Sequence, residues 1–260
     1  MAARGVVLSK RLQMLADMVE VGDRVADVGC DHGFLSIYLV QKGISPRVIA
    51  MDVRKGPLGA AKEHITSGGL EAYIDTRLSD GVKQLEKGEA DTVVCAGMGG
   101  ALIQRILREG MEKVRNMTLI LQPQSELKEF RSFLRRENFR ILEENAVYED
   151  GKYYFAIKAV VSEYIDSQQN RGRYQQENEC LNQDCDIFDE YGEKLLEQRH
   201  PILKQYLEFR RNVVEQLVIN LTEHVGGRGS DETNASRMEE RLRQVKDELR
   251  GIDEALKWYR

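Results

Sequence analysis

Carboxylates and glycines are closely spaced in residues 25–33, which read Val-Ala-Asp-Val-Gly-Cys-Asp-His-Gly. The β-branched run that ends at Asp27 is typical of a buried strand, and Gly29 and Gly33 allow the chain to turn sharply beside a ligand. The apolar spacing of residues 34–40 predicts a helix whose free N–H groups face that ligand. This pattern is typical of a turn that binds a small cofactor.

The spacing of this turn separates two cofactor classes. Dinucleotide-binding folds use Gly-x-Gly-x-x-Gly to approach a pyrophosphate. This chain instead has Gly-x-x-x-Gly, with Asp27 and Asp31 on either side of the first glycine. Carboxylates suit an amine or a sulfonium cation better than a pyrophosphate. The turn therefore favours S-adenosylmethionine over a nicotinamide dinucleotide.

Two further carboxylates follow predicted strands. Asp52 ends the apolar run 48–52, and a carboxylate after the second parallel strand can accept hydrogen bonds from both ribose hydroxyls. Asp80 and Gly81 form a turn after a third strand, where a carboxylate can accept a hydrogen bond from an adenine N6 amine. We therefore interpret Asp52 as the ribose ligand and Asp80 as the adenine ligand.

A fourth apolar run is followed by three glycines within four residues, which let the chain pass close to both cofactor and substrate. The transferred methyl group is therefore expected near residues 97–99. The candidate reacting centre comprises Asp31, Gly97 and Met98. The candidate cofactor-binding residues are Asp27, Gly29, Cys30, Asp31, His32, Gly33, Asp52, Val53, Asp80, Gly81, Ala96 and Gly97.

Strands and helices alternate over the first 160 residues. The strands are predicted near 24–28, 47–52, 73–77, 91–95, 118–122, 140–147 and 153–161, with helices between the first five. Ser9 is suited to cap a first helix that extends to about Val19. Only residues 149–151 separate the last two strands, which predicts a hairpin. The expected fold is a Rossmann-like α/β sheet of five parallel strands closed by an antiparallel hairpin.

The composition changes after Val161. Sequence rich in Gln, Asn and Glu runs to Cys185, and two long stretches with apolar residues at three- and four-residue steps follow. Their apolar positions are Leu203, Leu207, Val214, Leu217 and Leu221, then Met238, Leu242, Val245, Leu249, Ile252 and Leu256. The steps predict two coiled-coil-like helices, which fold back at the glycines of 226–229 beside a shorter helix near 186–198. The predicted domains are 1–163 and 164–260.

Composition limits the protein class. The 260 residues are 42% hydrophobic, with no apolar N-terminal leader and no long uncharged apolar run, so neither a signal peptide nor a membrane span is expected. The four cysteines lack Cys-x-x-Cys spacing, so neither a zinc site nor a disulfide framework is expected. We expect a cytoplasmic, monomeric enzyme without a metal.

The net charge of −5 argues at first sight against a nucleic-acid partner, but the charge is uneven. Residues 164–260 hold 15 basic and 20 acidic residues, whereas residues 1–163 hold 23 of each. A balanced domain can still present a basic face. The candidates are Arg4, Lys10, Arg11, Arg105, Arg108, Lys128, Arg131, Arg135 and Arg136; taken singly, each is better explained by a solvated helix face.

Six segments together resemble the bacterial TrmK family. They are 25–33, Asp-Val-Arg-Lys-Gly-Pro-Leu at 52–58, Arg-Leu-Ser-Asp-Gly at 77–81, Ala-Gly-Met-Gly-Gly at 96–100, Leu-Ile-Leu-Gln-Pro-Gln at 119–124 and Glu-Asp-Gly-Lys-Tyr-Tyr at 149–154. The resemblance covers about 160 residues and extends less clearly into the helical region. It implies a class I S-adenosylmethionine-dependent methyltransferase that methylates N1 of adenine 22 in tRNA.

Several roles stay open from sequence. Such an enzyme must turn the base out of its stack, and Tyr153 and Tyr154 either stack on it or simply pack between strands. Lys10 and Arg11 are the candidate contacts to the tRNA backbone. Asp31 either stabilises the cationic product or holds the methionine end of the cofactor, and His32 is a cap or a substrate contact. The rival functions are a small-molecule methyltransferase of the same fold and a non-catalytic RNA-binding module.

Overall fold

The computed structural model describes residues 5–161, 182–225 and 232–260. The chain divides into two compact units, Met1–Cys180 and Leu181–Arg260. The predicted boundary between residues 163 and 164 lies outside the described residues and stays a prediction. Arg4, Cys180 and the glycines of 226–229 also lie outside them.

The first unit contains one seven-stranded sheet in the order β3-β2-β1-β4-β5-β7-β6. The strands are β1 Val25–Val28, β2 Val48–Asp52, β3 Ile74–Leu78, β4 Thr92–Met98, β5 Thr118–Pro123, β6 Phe139–Glu149 and β7 Lys152–Val161. β1 to β5 run parallel, while β7 is antiparallel to both β5 and β6. The predicted Rossmann-like sheet with its closing hairpin is confirmed.

Five helices accompany the sheet: α1 Lys10–Asp17, α2 Phe34–Gln41, α3 Lys55–Ser67, α4 Gly100–Val114 and α5 Leu127–Arg136. Ser9 caps α1 as predicted, since its Oγ accepts a hydrogen bond from Leu12 N, although α1 ends two residues before Val19. The prediction of a helix between β3 and β4 is wrong, because residues 79–91 form turns. Gly81 and Gly88 adopt positive φ there, which a right-handed helix cannot contain.

Apolar side chains cover both faces of the sheet. Ile103 and Leu107 of α4 and Phe130 of α5 belong to the core on one face. Leu15 of α1 and Leu35 of α2 belong to the core on the other face. Because both faces are covered, β1 and β2 are buried along their whole length, as their continuous apolar runs require.

One ion pair lies inside this unit. Arg131 Nε donates to Glu144 Oε1 at 2.7 Å, and the two side chains are 2% and 0% exposed. The interpretation of Arg131 as part of a basic RNA-binding face is therefore wrong. The amphipathic spacing of α5 turns this arginine inward, where its charge is matched by a carboxylate from β6.

The second unit contains α6 Asn182–Tyr191, α7 Glu193–Glu197, α8 Pro201–Val225 and α9 Glu232–Lys257. The long helices run antiparallel: Tyr259 Oη donates to His200 O at 3.1 Å, beside the start of α8, while Arg210, further along α8, pairs with Glu248. The shorter helix predicted near 186–198 is two helices, separated by Gly192 with φ 92°.

The apolar seam of the long helices is only partly closed. Leu203, Leu207 and Val214 of α8 are fully buried. Val245 and Ile252 of α9 are each only 1% exposed. Leu217, by contrast, is 39% exposed. The apolar repeat in the sequence therefore extends beyond the part of α8 that packs against α9.

Within the described ranges, no helix has the length and apolar character needed to cross a bilayer. Those ranges also contain no cluster of three His, Cys, Asp or Glu side chains that could hold a metal ion. Cys30 and Cys95 are buried free thiols, and burial raises the pKa of Cys95 to about 12, which keeps it protonated and unreactive.

Candidate active site

A cavity of about 720 Å³ lies at the carboxyl ends of the parallel strands. This is the edge where parallel α/β sheets bind ligands. Its lining includes these predicted residues: Arg11, Asp27, Gly29, Cys30, Asp31, His32, Asp52, Val53, Asp80, Gly81, Ala96, Gly97 and Met98. Gly33, Lys10, Tyr153 and Tyr154 do not line it.

The turn after β1 owes its shape to three positive φ angles, at Gly29 (78°), Asp31 (52°) and Gly33 (73°). Gly29 N and Cys30 N both donate to Met51 O, at 2.8 and 3.0 Å, which fixes the turn against β2. A Cβ on Gly33 would lie 3.1 Å from the Ala61 side chain, so this glycine allows close packing on α3. Gly33 thus shapes the site without lining the cavity.

Asp27, one residue before the end of β1, is a nearly fully buried carboxyl group. Ser36 Oγ of α2 donates to Asp27 Oδ2 at 2.7 Å, which orients the group. Burial raises the pKa of Asp27 to about 6, and the Ser36 hydrogen bond only partly opposes the rise. A buried carboxylate of this kind gains from a ligand that brings a positive charge.

The carboxylates after β2 and β3 differ in their partners. Asp52 is buried, and its Oδ1 accepts a hydrogen bond from Arg54 N at 2.8 Å. Asp80 pairs with Arg105 at 2.8 Å and with Lys83 at 2.6 Å. These two cations hold the pKa of the Asp80 carboxyl well below its usual range. Asp52 therefore has more hydrogen-bonding capacity left for a ligand than Asp80.

The side of the cavity next to β4 and β5 carries the amide of Gln124 and the guanidinium of Arg11. Arg11 Nη1 donates to Gln122 Oε1 at 3.1 Å, and the Arg11 guanidinium lies 5.7 Å from the Tyr154 ring centroid. Gln124 lines the cavity beside Gly97. Sequence reasoning assigned no role to either glutamine, although the Gln-Pro-Gln segment after the fifth apolar run is a signal that could have found them.

The hairpin tyrosines lie at the same edge of the sheet but outside the cavity. Leu121 of β5 pairs with Ile157 of β7, so residues 153 and 154 extend past the carboxyl end of β5. The Tyr153 ring is 4.6 Å from the Tyr148 ring, and the Tyr154 ring packs on the core beside Arg11. Their stacking on a substrate base stays a prediction.

Aromatic rings line the opposite rim. Phe34 is 41% exposed and lines the cavity, and its ring is 5.8 Å from the His32 ring and 5.1 Å from the His64 ring. His64 Nδ1 is 3.0 Å from His32 O, which ties α3 to the turn. The sequence did not point to Phe34 as a site residue, because the helical spacing of its segment is typical of residues in the hydrophobic core.

The candidate basic face is largely paired within the protein. Arg105 contacts Asp80 and Glu109, and Arg108 lies 3.6 Å from Glu137 with its guanidinium 4.6 Å from the Phe133 ring centroid. Lys10 N donates to Glu149 Oε1 at 2.6 Å, which anchors α1 to the hairpin. Of the candidate arginines that the structure describes, Arg11 and Arg105 line the cavity, Arg11 beside Gly97 and Arg105 beside Asp80. RNA contacts of Lys10, Lys128, Arg135 and Arg136 stay predictions.

Comparison with known proteins matches this geometry. The family described as "Methyltransferase domain" matches residues 8–157. The tRNA (adenine(22)-N(1))-methyltransferase of Bacillus subtilis is 39% identical over 153 residues, which are 58% of this chain and 64% of that protein. The aligned part of this chain thus spans slightly less than two thirds of that relative.

Solved structures extend the likeness over nearly the whole chain. The crystal structure of the Bacillus subtilis M1A22 tRNA methyltransferase TrmK has a TM-score of 0.75 at 27% identity and covers 96% of this chain and 99% of that one. A Streptococcus pneumoniae putative tRNA (m1A22) methyltransferase, in complex with S-adenosyl-L-methionine, has the same TM-score and identity and covers 96% and 100%. These relatives confirm the resemblance to the TrmK family noted in the sequence, and the match over residues 8–157 shows that this chain belongs to the methyltransferase-domain family.

Proposed function

We propose that this protein transfers the methyl group of S-adenosylmethionine to N1 of an adenine in tRNA, adenine 22 by relation to the TrmK enzymes. The observation that carries the proposal is one cavity with two chemically different halves. Buried or paired carboxylates lie at the carboxyl ends of β1, β2 and β3, whereas the Gln124 amide and the Arg11 guanidinium lie beside β4 and β5. The first half suits a cationic nucleoside cofactor and the second a neutral base.

The residues fit S-adenosylmethionine. Gly29 lines the cavity without a Cβ, so a ligand can approach its backbone, and Asp27 offers a carboxylate to the methionine amine. Asp52 accepts hydrogen bonds from the ribose hydroxyls, and Asp80 accepts one from the adenine amine. The cofactor supplies an electrophilic methyl group, whose bond to sulfur breaks as the bond to adenine N1 forms.

The protein's task in this reaction is positioning. Adenine N1 already carries a lone pair, so no side chain has to remove a proton to create the nucleophile. The positive charge of the sulfonium passes to the base, and the carboxylate of Asp31 at the cavity edge stabilises that charge. Gly97 and Met98 form the wall between the two halves, and the Met98 side chain lies against Gly29.

The proposal predicts a pH dependence of cofactor binding from Asp27. Its raised pKa of about 6 means that the free protein loses the Asp27 charge as the pH falls below 6. We expect affinity for S-adenosylmethionine to be about tenfold weaker at pH 5 than at pH 7, measured by calorimetric titration. The Asp27→Asn variant should bind weakly with no such step. A wild-type affinity that is flat from pH 5 to pH 7 would remove Asp27 from cofactor binding.

The same carboxyl affects folding in the opposite sense. Because the folded pKa is raised, this group's stabilising contribution is complete below pH 4 and is lost as the pH rises through 6. Asp27→Asn should therefore remove part of the fall in unfolding free energy between pH 4 and pH 6, which provides a second readout in the cofactor-free protein.

Asp52 and Asp80 should contribute unequally to cofactor binding. Asp52→Ala removes a buried carboxylate with unused acceptor capacity, so affinity should fall roughly 10- to 150-fold. Asp80→Ala removes a partly exposed group already paired with Arg105 and Lys83, so the loss should be about fivefold. Calorimetric titration of both variants measures the order. Equal losses would contradict this difference between the two sites, and unchanged affinity in both would remove the ribose and adenine assignments.

A methylation assay tests the function directly. Unmodified tRNA with adenine at position 22 should accept a labelled methyl group, and the same tRNA with guanosine at that position should not. Labelling of amino acids or small amines instead would favour a small-molecule methyltransferase. Binding of tRNA without labelling would favour a non-catalytic RNA-binding module.

The monomeric state and the cytoplasmic location stay predictions. Sedimentation analysis tests the monomeric state.

A further inference from the structure

The side chain of Gln124 lies at the reacting end of the cavity. Gln124 N donates to Met98 O at 2.9 Å, which fixes the backbone after β5 against β4. Its Nε2 lies 3.9 Å from the position that a Cβ on Gly97 would take. Its side-chain amide forms no hydrogen bond to another residue in the described parts of the chain. Both the amide oxygen and the amide nitrogen are thus available to a ligand.

The neighbours of Gln124 are held by contacts of their own. Arg11 Nη1 lies 3.7 Å from the same Gly97 position, and Gln122 Oε1 and the Tyr154 ring hold its guanidinium. Gln122 is fully buried, and its Nε2 has no partner among the described residues. A buried donor without a partner lowers the free energy of unfolding, so the surroundings of Gln122 are suited to polar contacts. Of the two glutamines, only Gln124 reaches the cavity surface.

Sheet order assigns Gln124 to the acceptor half. The candidate cofactor carboxylates lie at the carboxyl ends of β1, β2 and β3, whereas Gln124 follows β5, on the far side of β4. A cofactor held at Asp52 and Asp80 therefore lies away from the Gln124 amide. The molecule that receives the methyl group is the one within its reach.

The chemistry of the reaction restricts how an adenine can be bound there. N1 must face the methyl donor with its lone pair free, so the edge that contains N1 cannot be occupied by a protein donor. The Hoogsteen edge is available, because it presents the N6–H donor and the N7 acceptor. A glutamine amide matches this pair with two hydrogen bonds. Guanine presents O6 in place of the N6 amine, which would oppose the amide oxygen.

We propose that Gln124 binds the Hoogsteen edge of the target adenine, accepting from N6–H and donating to N7, and thereby selects adenine over guanine while N1 stays free. This inference rests on the proposed function. It makes Gln124 a specificity-determining residue for the acceptor base.

A thermodynamic cycle tests the contact. Wild type and Gln124→Ala are each assayed on tRNA with adenine or 7-deazaadenine at the target position, and kcat/KM is measured. We expect the deaza base and the Gln124→Ala change each to reduce kcat/KM about tenfold in the wild-type context. Their combination should lose little more than either alone, a coupling factor of about ten. The altered basicity of N1 in 7-deazaadenine affects both proteins equally and cancels in the cycle.

Two controls complete the experiment. Affinity for S-adenosylmethionine, measured by calorimetry, should be unchanged in Gln124→Ala. Gln84→Ala removes another exposed glutamine, one that does not line the cavity, and should show wild-type kcat/KM on both RNAs. Additive losses in the cycle, or a tenfold loss of cofactor affinity, would overturn the inference and leave the methyltransferase proposal standing. Absence of methylation by wild type on any adenine-containing tRNA would overturn both.

Discussion

Removal of the chain after Val161 is expected to leave S-adenosylmethionine binding intact and to reduce tRNA methylation by roughly 100-fold or more. Every residue that lines the cavity lies between Arg11 and Gln124, within the first compact unit. A tRNA is much larger than this unit, and its affinity depends on many phosphate contacts. Calorimetry with cofactor and kcat/KM on full-length tRNA measure the two effects separately.

Point substitutions in α8 provide a matched comparison for the truncation. Val214→Asp places a charge at a fully buried position and should unfold the helical unit, reproducing the loss of tRNA methylation with cofactor binding unchanged. Leu217→Asp changes a position that is 39% exposed and should have a much smaller effect, although sequence periodicity predicts the two to be equivalent. If the truncated protein methylated tRNA as well as the full chain, the helical unit would serve dimerisation or another partner.

Glu144→Ala is expected to lower the free energy of unfolding by about 3–5 kcal/mol, because it leaves the buried Arg131 charge without its carboxylate. Glu144→Gln should cost less, since its amide oxygen still accepts from Arg131 Nε. The matched control is Glu112→Ala at the exposed Arg115 pair, with an expected loss below about 1 kcal/mol. Urea denaturation measures all three. A loss in Glu144→Ala as small as in Glu112→Ala would contradict an energetic role for the buried pair.

Sequence alone determined the sheet and the carboxylates that line the cavity at its edge. Seven strands were predictable because buried parallel strands are continuous apolar runs and the closing hairpin has a short turn, residues 149–151. Asp27, Asp52 and Asp80 were predictable because each lies at or just after the end of a predicted strand, and the carboxyl ends of parallel strands meet at one edge. These signals are local, because each depends only on residues that are neighbours in the sequence.

Only the tertiary structure decided which polar groups meet one another. From sequence, Arg131 is interpreted as a surface cation and Asp80 as a free carboxylate. In the structure, Glu144 of β6 pairs with Arg131, and Arg105 of α4 pairs with Asp80. Gln124 lies at the cavity because β5 is next to β4, which places its amide beside Gly97. These three contacts join residues between 13 and 27 positions apart in the chain. The periodicity of apolar residues gives no information about such contacts. Burial and charge pairing arise when elements pack, so the place of Gln124 beside Arg11 in the cavity lining is seen only in the tertiary structure.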